Sequence, residues 1–294
     1  MNTPPSLTII VPAYNHERFV EQALNSTLDN GVADVELIVC DDGSRDSTPD
    51  IVARWGALNA HKFAKFVFSR HEKNLGLSVT MNELVAAAQG KIICSIGSDD
   101  IFLPGALSRI TTMMLDHPEW HGAFFDGHAI SPEGEIYHES MLKVSSLDVS
   151  RLNSSDIAEE LFYHWQEPAN LIAWRRSVFL KHGGEFEFDS TVFCEDLDFA
   201  IWALGKGAFG LIPEICYGYR CRSWPQTAMR NPTRECRDIA FVYMKHARLF
   251  PLDLAQRMRN RALGLTYAAA GDHESAHPFH VEFELGKAKC HSKV

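Results

Sequence analysis

The chain has 294 residues, 46% hydrophobic and 22% charged, the balance of an ordinary globular protein able to bury a full core. A formal net charge of −10 argues against a nucleic-acid partner, which needs net basic surface, and seven cysteines without a CxxC pair argue against a disulfide framework or zinc knuckle. No apolar run approaches the ~20 residues of a membrane span, and residues 1–6 lack the basic and apolar regions of a secretory signal, so a cytoplasmic location is expected.

Residues 7–11 read as a buried strand and about 19–28 as a helix; 35–40 form a second strand. Thr48 offers a capping hydroxyl ahead of Pro49 at the first helical position, opening a helix to about 57. Strands over 63–69 and 92–96 alternate with helices over 78–89 and 104–116. That alternation predicts a mostly parallel sheet covered by helices on both faces.

Past His117-Pro118 the pattern changes. Segments 123–130 and 135–138 flank Ser131-Pro132-Glu133-Gly134, a hairpin turn signal. A polar loop over 139–153, a helix near 156–163, a strand near 171–174 and a helix near 196–204 complete a mixed second half. From Thr233 the chain reads as two or three helices. The expected division is an α/β domain over 1–230, in halves of about 1–118 and 119–230, and a helical subdomain over 231–294.

In an open parallel sheet, ligands bind beyond the carboxyl ends of the strands. Successive strands are followed by Pro12-Ala13-Tyr14-Asn15, Asp41-Asp42-Gly43-Ser44, the stretch 70–76 and Gly97-Ser98-Asp99-Asp100. Two acidic pairs and an aromatic residue therefore converge on one edge. Such an edge suits a nucleotide diphosphate: carboxylates hold a divalent cation against the leaving phosphates, another carboxylate accepts a uracil N3–H, and an aromatic face stacks on the base.

These motifs, with Asn74-Leu75-Gly76 and Pro104 at their spacing, resemble the ordered set of family 2 glycosyltransferases over about residues 6–225. The resemblance implies a GT-A fold, inversion at the anomeric carbon, a Mn or Mg ion, a nucleotide-sugar donor and a saccharide or lipid-linked acceptor. It implies that Pro12, Ala13 and Tyr14 wall the nucleoside and that Asp42 reads a uracil ring. Asn74, Gly76 and Ser98 are then near ribose and phosphates, with Asp99 and adjacent Asp100 as metal carboxylates. Two departures stand out. Gly97 occupies the first position of the usual Asp-x-Asp metal motif, and Arg222 stands where the family often has histidine. An arginine there is expected to hold phosphate.

Glu195-Asp196-Leu197-Asp198 opens a helix after Gly183-Gly184. Carboxylates at a helix start are often simply capping groups, but the resemblance implies an acceptor motif here, with Asp196 as general base and Glu195 beside it. Trp165, Gln166 and Trp174 are candidates for the acceptor side, with core packing the better expectation for Trp174. The Gln-x-x-Arg-Trp motif of processive synthases is absent, which favours transfer of a single sugar.

Rival readings are a catalytically weakened nucleotide-sugar binder, suggested by Gly97, and a sugar nucleotidylyltransferase, whose Gly-rich basic loop after the first strand is missing. His273-Glu274-Ser275-Ala276-His277 matches the zinc-protease pattern, but Pro278 is expected to interrupt that helix. Residues 263–276 are similar to part of one tetratricopeptide repeat, which alone cannot bury its core. The C-terminal helices are thus expected to pack on the enzyme and are candidates for a homodimer contact. Arg257, Arg259 and Arg261 suggest a peripheral contact with the inner face of a membrane, or an exposed charged face.

Overall fold

The computed structural model describes residues 4–28, 31–144, 157–164, 171–180, 186–221 and 231–291. Its first half runs β1 (Leu7–Ala13), α1 (Val20–Asn25), β2 (Val35–Asp41), α2 (Thr48–Asn59), β3 (Lys65–Arg70), α3 (Leu77–Ala87), β4 (Ile92–Ser95), β5 (Ile101–Phe102) and α4 (Ala106–Asp116). The second half runs β6 (Gly122–Ile130), β7 (Ile136–His138), α5 (Met141–Val144), α6 (Ile157–His164), β8 (Ile172–Arg175), α7 (Ser177–Leu180), α8 (Glu195–Leu204) and β9 (Phe209–Arg220). Then follow α9 (Pro232–His246), α10 (Leu252–Ala269) and α11 (His273–His291).

The strands form one sheet in the order β3-β2-β1-β4-β8-β6-β9-β5, with β7 hairpinned onto β6. β3, β2, β1 and β4 are all parallel, with Leu7 opposite Val35 on one side and Ile92 on the other. β8 enters antiparallel between β4 and β6, and β6 runs parallel to β9. Because the chain steps outward from β1 to β3 and then returns to β4, the carboxyl ends of β1 and β4 flank a switch point where the flanking loops part.

Alternate strand residues feed opposite cores. Ile9, Leu37 and Cys94 pack with Leu24, Trp55 and Ile110 on one face. Ile10, Ile38 and Ile93 pack with Leu84, Phe179, Phe199 and Trp202 on the other. A third core joins Phe162, Leu197 and Ile201 to Tyr243, Met258 and Leu265, so the C-terminal helices share their packing with α6 and α8. Asp198, wholly buried, adds a polar tie by accepting from Lys245 Nζ at 2.7 Å and contacting His246 Nε2 at 2.6 Å.

Several expectations change in detail. α1 stops at Asn25 because the Ser26 and Thr27 hydroxyls donate back to the carbonyls of Ala23 and Leu24. Thr48 is the first helical residue of α2 rather than its cap. Asp46 Oδ1 accepts from both the Thr48 amide and its hydroxyl. The strand β9 has no counterpart in the sequence reading: Pro213 and Glu214 form an exposed bulge where the register jumps from Phe125–Ile212 to Asp126–Ile215, which is how a strand tolerates proline.

Pro278 does not interrupt the last helix, as had been expected; α11 continues through it. The carbonyl that a proline at 278 deprives of its donor belongs to Glu274, an exposed residue of the first turn that water can serve. Among the described residues no third metal-ligating side chain gathers with His273 and His277, and no helix is long and apolar enough to cross a membrane.

Candidate active site

The switch point opens into a cavity of about 420 Å³, within the range of small-molecule sites. Its walls bring together Pro12 and Ala13 at the end of β1 and Tyr14 just after it, Asp42 after β2, Asn74 before α3, and Ser98, Asp99 and Asp100 after β4. Glu195 and Asp196, at the start of α8, line the same cavity. Residues far apart in the chain are thus gathered as the sequence reading expected. Gly76 is not in the wall; with φ +95 it turns the loop into α3. Trp174 lines the cavity yet is 2% exposed, packed against Phe199, so it belongs to core and site together. Arg222, Trp165, Gln166 and the Gly183-Gly184 pair lie outside the described residues.

The loops after β1 and β2 are stitched to each other. Asn15, at φ +53, donates its amide to Ser44 Oγ at 2.8 Å, and its side chain accepts from the Arg45 amide. The next amide, His16, donates to Thr48 Oγ1. An added side chain at Gly43 would meet the backbone of Lys73 at 2.4 Å, so glycine there is what lets the second acidic loop touch the loop that carries Asn74.

Asp42 is 4% exposed. Its Oδ1 accepts from the Leu75 amide at 2.7 Å and faces His71 Nδ1 at 2.8 Å, while Oδ2 accepts from the Gly76 amide at 2.9 Å. A carboxylate oxygen has two acceptor directions, so Oδ2 retains one. Glu83 stands 2.8 Å from the other ring nitrogen of His71. Burial opposes a charge on that ring, but the hydrogen bonds with Asp42 and Glu83 outweigh it and raise the His71 pKa. Cys40, His71 and Glu83 do offer ligand atoms within 4.8 Å of one another. With both nitrogens facing carboxylates, the ring serves as a doubly donating imidazolium rather than as a metal ligand.

The turn after β4 divides labour between its two aspartates. Asp100 is 2% exposed; its Oδ2 accepts from the Tyr217 hydroxyl at 2.9 Å and its Oδ1 from the Arg220 amide at 2.7 Å. Burial, with the neighbouring Asp99 charge, pushes its carboxyl well up. The Tyr217 oxygen in turn accepts from the Gly97 amide. Asp99 instead keeps its carboxylate about a third exposed. Of the two acids expected to hold metal, Asp99 has the free oxygens that a hard divalent cation requires, whereas Asp100 braces the turn against β9.

Sequence reasoning missed two residues of this wall. Arg220 donates to the carbonyls of Asp99, Ser131 and Pro132 and to Gln22, fixing the acidic turn against the hairpin. Its signal was the Tyr219-Arg220 pair next to the expected Arg222. His16 lies with Nδ1 2.8 Å from Ser98 Oγ and Nε2 3.6 Å from Asp99 Oδ2.

Asp196 accepts from the Leu197 amide at 2.7 Å. A helix start favours the ionised form of a carboxylate. Burial prevails over that hydrogen bond and raises its pKa instead, which brings a carboxyl base nearer to neutral pH.

An α/β sheet whose switch point faces carboxylates on both sides, closed by a further acidic helix, defines a GT-A glycosyltransferase. Residues 8–167 match the model of glycosyl transferase family 2, and the chain belongs to that family, of which inversion is a general property. It is similar to an uncharacterized glycosyltransferase of Haemophilus influenzae, 26% identical over 79% of this chain and 70% of the relative. The hyaluronan synthase of Pasteurella multocida is 26% identical over 74% of this chain, which spans 20% of that protein's length. Among solved structures, Staphylococcus aureus TarS 1–349 with UDP-GlcNAc superposes with TM-score 0.64 at 17% identity, covering 96% of this chain and 92% of the other. A Pyrobaculum calidifontis mannosyltransferase with GDP-Man and Mn2+ gives TM-score 0.64 at 17% identity, covering 99% and 79%. These two likenesses are of fold.

Proposed function

We propose that this glycosyltransferase moves a single sugar from a UDP-sugar to a saccharide or lipid-linked saccharide, in the assembly of a surface polysaccharide or related glycan. The observation that carries the reading is the single cavity shared by Tyr14 and Asp42, by Asp99, and by Glu195 and Asp196. Tyr14, 38% exposed, offers a face for the base, and the spare direction of Asp42 Oδ2 suits an imide N–H. Nucleotide sugars held by neighbours of the same fold support a donor of this class.

In the reaction, the acceptor hydroxyl oxygen bonds to the anomeric carbon while the bond from that carbon to the β-phosphate oxygen breaks. The hydroxyl proton passes to Asp196, with Glu195 beside it, and one displacement inverts the carbon. Asp99 fits a divalent cation, Mn or Mg, which when bound neutralises charge growing on the diphosphate. Asn74 and Ser98 line the wall between base and phosphates. Arg222, outside the described residues, is a further candidate for the phosphates.

The test is transfer itself. UDP-sugars and GDP-sugars are offered with Mn2+ to the purified protein, and water or an oligosaccharide serves as acceptor. Release of UDP and a product of inverted configuration, read by proton NMR before mutarotation, is expected. Retention would overturn the displacement. Tight binding of the donor without any turnover would favour the weakened binder instead, and release of GDP alone would move the base preference.

A further inference from the structure

Asp99 lacks the partner that a carboxylate at position 97 would give it, and a side chain there would crowd both neighbouring carboxylates. A Cβ on Gly97 would stand 2.6 Å from Asp100 Oδ2 and 3.1 Å from Asp99 Oδ1. Asp100 is turned inward instead, each of its oxygens held by one donor, Tyr217 or the Arg220 amide, in a buried position. Another side chain faces Asp99 from across the switch point.

We propose that His16 is a protein ligand of the divalent cation, its Nε2 completing with Asp99 the site that Gly97 leaves short of a donor. The proposal rests on the donor reading above. Nε2 and Asp99 Oδ2 are 3.6 Å apart. Two ligands of one ion, each bonded at about 2.0–2.2 Å, stand roughly 3–4 Å apart, so the pair needs little adjustment to share a cation. Both side chains are about a third exposed, 33% and 32%, which leaves an ion and its remaining water or phosphate ligands a path of entry.

The ring is also held as ligating histidines are held. Metal-bound imidazoles donate their other N–H to a fixed acceptor, which selects the tautomer and orients the lone pair. Here Ser98 Oγ, 1% exposed, lies 2.8 Å from Nδ1. With Nδ1–H donating to it, Nε2 presents a bare lone pair toward Asp99. Behind the ring, the His16 amide is anchored on Thr48 Oγ1 and Phe19 packs edge-on at 6.4 Å. A nitrogen donor beside one carboxylate suits Mn more than Mg, whose preference is for oxygen.

The test is electron spin-echo envelope modulation on Mn2+ bound to the wild-type protein with UDP. A modulation from directly coordinated 14N is expected, replaced by the 15N signature in protein labelled with 15N-histidine. His16→Ala should lose the signal and weaken Mn2+ binding, counted from the free Mn2+ resonance, by about tenfold or more, and Ser98→Ala should weaken it by about tenfold. A circular-dichroism spectrum and a urea midpoint matching wild type certify that the His16→Ala variant is folded. Mn2+ bound with UDP but without nitrogen coordination overturns the inference alone, because His16 would then only pair with Asp99. Failure to bind UDP under any condition overturns the donor reading and the inference with it.

Discussion

His71 Nδ1 stands 2.8 Å from Asp42 Oδ1, and Glu83 holds the opposite ring nitrogen at the same distance. The carboxylate proposed to read the base is therefore fixed from behind by His71, and from the side by the amides of Leu75 and Gly76. A raised folded pKa contributes stability that is fully present below the unfolded value of about 6.5 and is lost as pH rises through the folded value. His71→Gln should thus cost most near pH 6, roughly 1.5–3 kcal/mol for hydrogen bonds to charged groups, and progressively less at alkaline pH. Urea unfolding of both proteins from pH 6 to 9 checks the sign. A gap that widens with pH would contradict the paired imidazolium.

Asp100 shifts in the same direction, but here it is the neutral form that folding favours. Its carboxyl is pushed up by burial and by Asp99, so the folded state keeps a proton that the unfolded state releases near pH 4. Stability from this group is present at low pH and falls as pH rises toward the folded value. Asp100→Asn mimics the protonated form, and its stability relative to wild type should improve with pH, measured by denaturant midpoints at pH 5 and pH 8. A constant difference would mean that Asp100 is ionised throughout.

The C-terminal helices hold α8, which carries the proposed base, through Asp198, which is fully buried against Lys245 and His246. Removing one member of a buried charged cluster leaves the others uncompensated. Asp198→Ala should cost about 3 kcal/mol and lower turnover with it, because the helix that begins at Glu195 carries Asp196. Unfolding equilibria and rates of the same preparation test both halves. Unchanged stability would make the cluster a surface-like ion pair.

Asp196→Asn preserves shape and removes the basic oxygen. Donor affinity should survive while turnover falls by about 10²–10⁴-fold. Since burial raises the Asp196 pKa, the wild-type rate should rise with pH through a value above the ordinary carboxylate range. A rate already flat above pH 5 would argue that another group takes the proton, Glu195 first.

Much of this site was legible in the sequence because its chemistry sits at strand ends, where apolar runs give way abruptly to Pro12, Asp42 and Ser98. The strand β9 was illegible because Pro213 breaks the pattern, and only pairing with β6 reveals it as a bulge. The division between Asp99 and Asp100 was illegible too. It depends on Tyr217, over a hundred residues away, whose hydroxyl turns Asp100 inward. Arg220 and His16 gain their roles from loops that meet only in the folded chain. Pro278 misled because helix-breaking by proline depends on where the lost donor falls, and here it falls at an exposed first turn.

The central claim is that a uridine nucleotide lies in this cavity with its base on Asp42 and its diphosphate toward Asp99. Calorimetric titration of UDP into wild type and Asp42→Ala, with and without Mn2+, tests it most directly. Wild type should bind UDP, more tightly with Mn2+, and Asp42→Ala should lose roughly ten- to a hundredfold, the equivalent of one hydrogen bond to a charged group, while inorganic pyrophosphate binds both proteins alike. Equal UDP affinity in the two proteins, or no UDP binding by wild type, would contradict it.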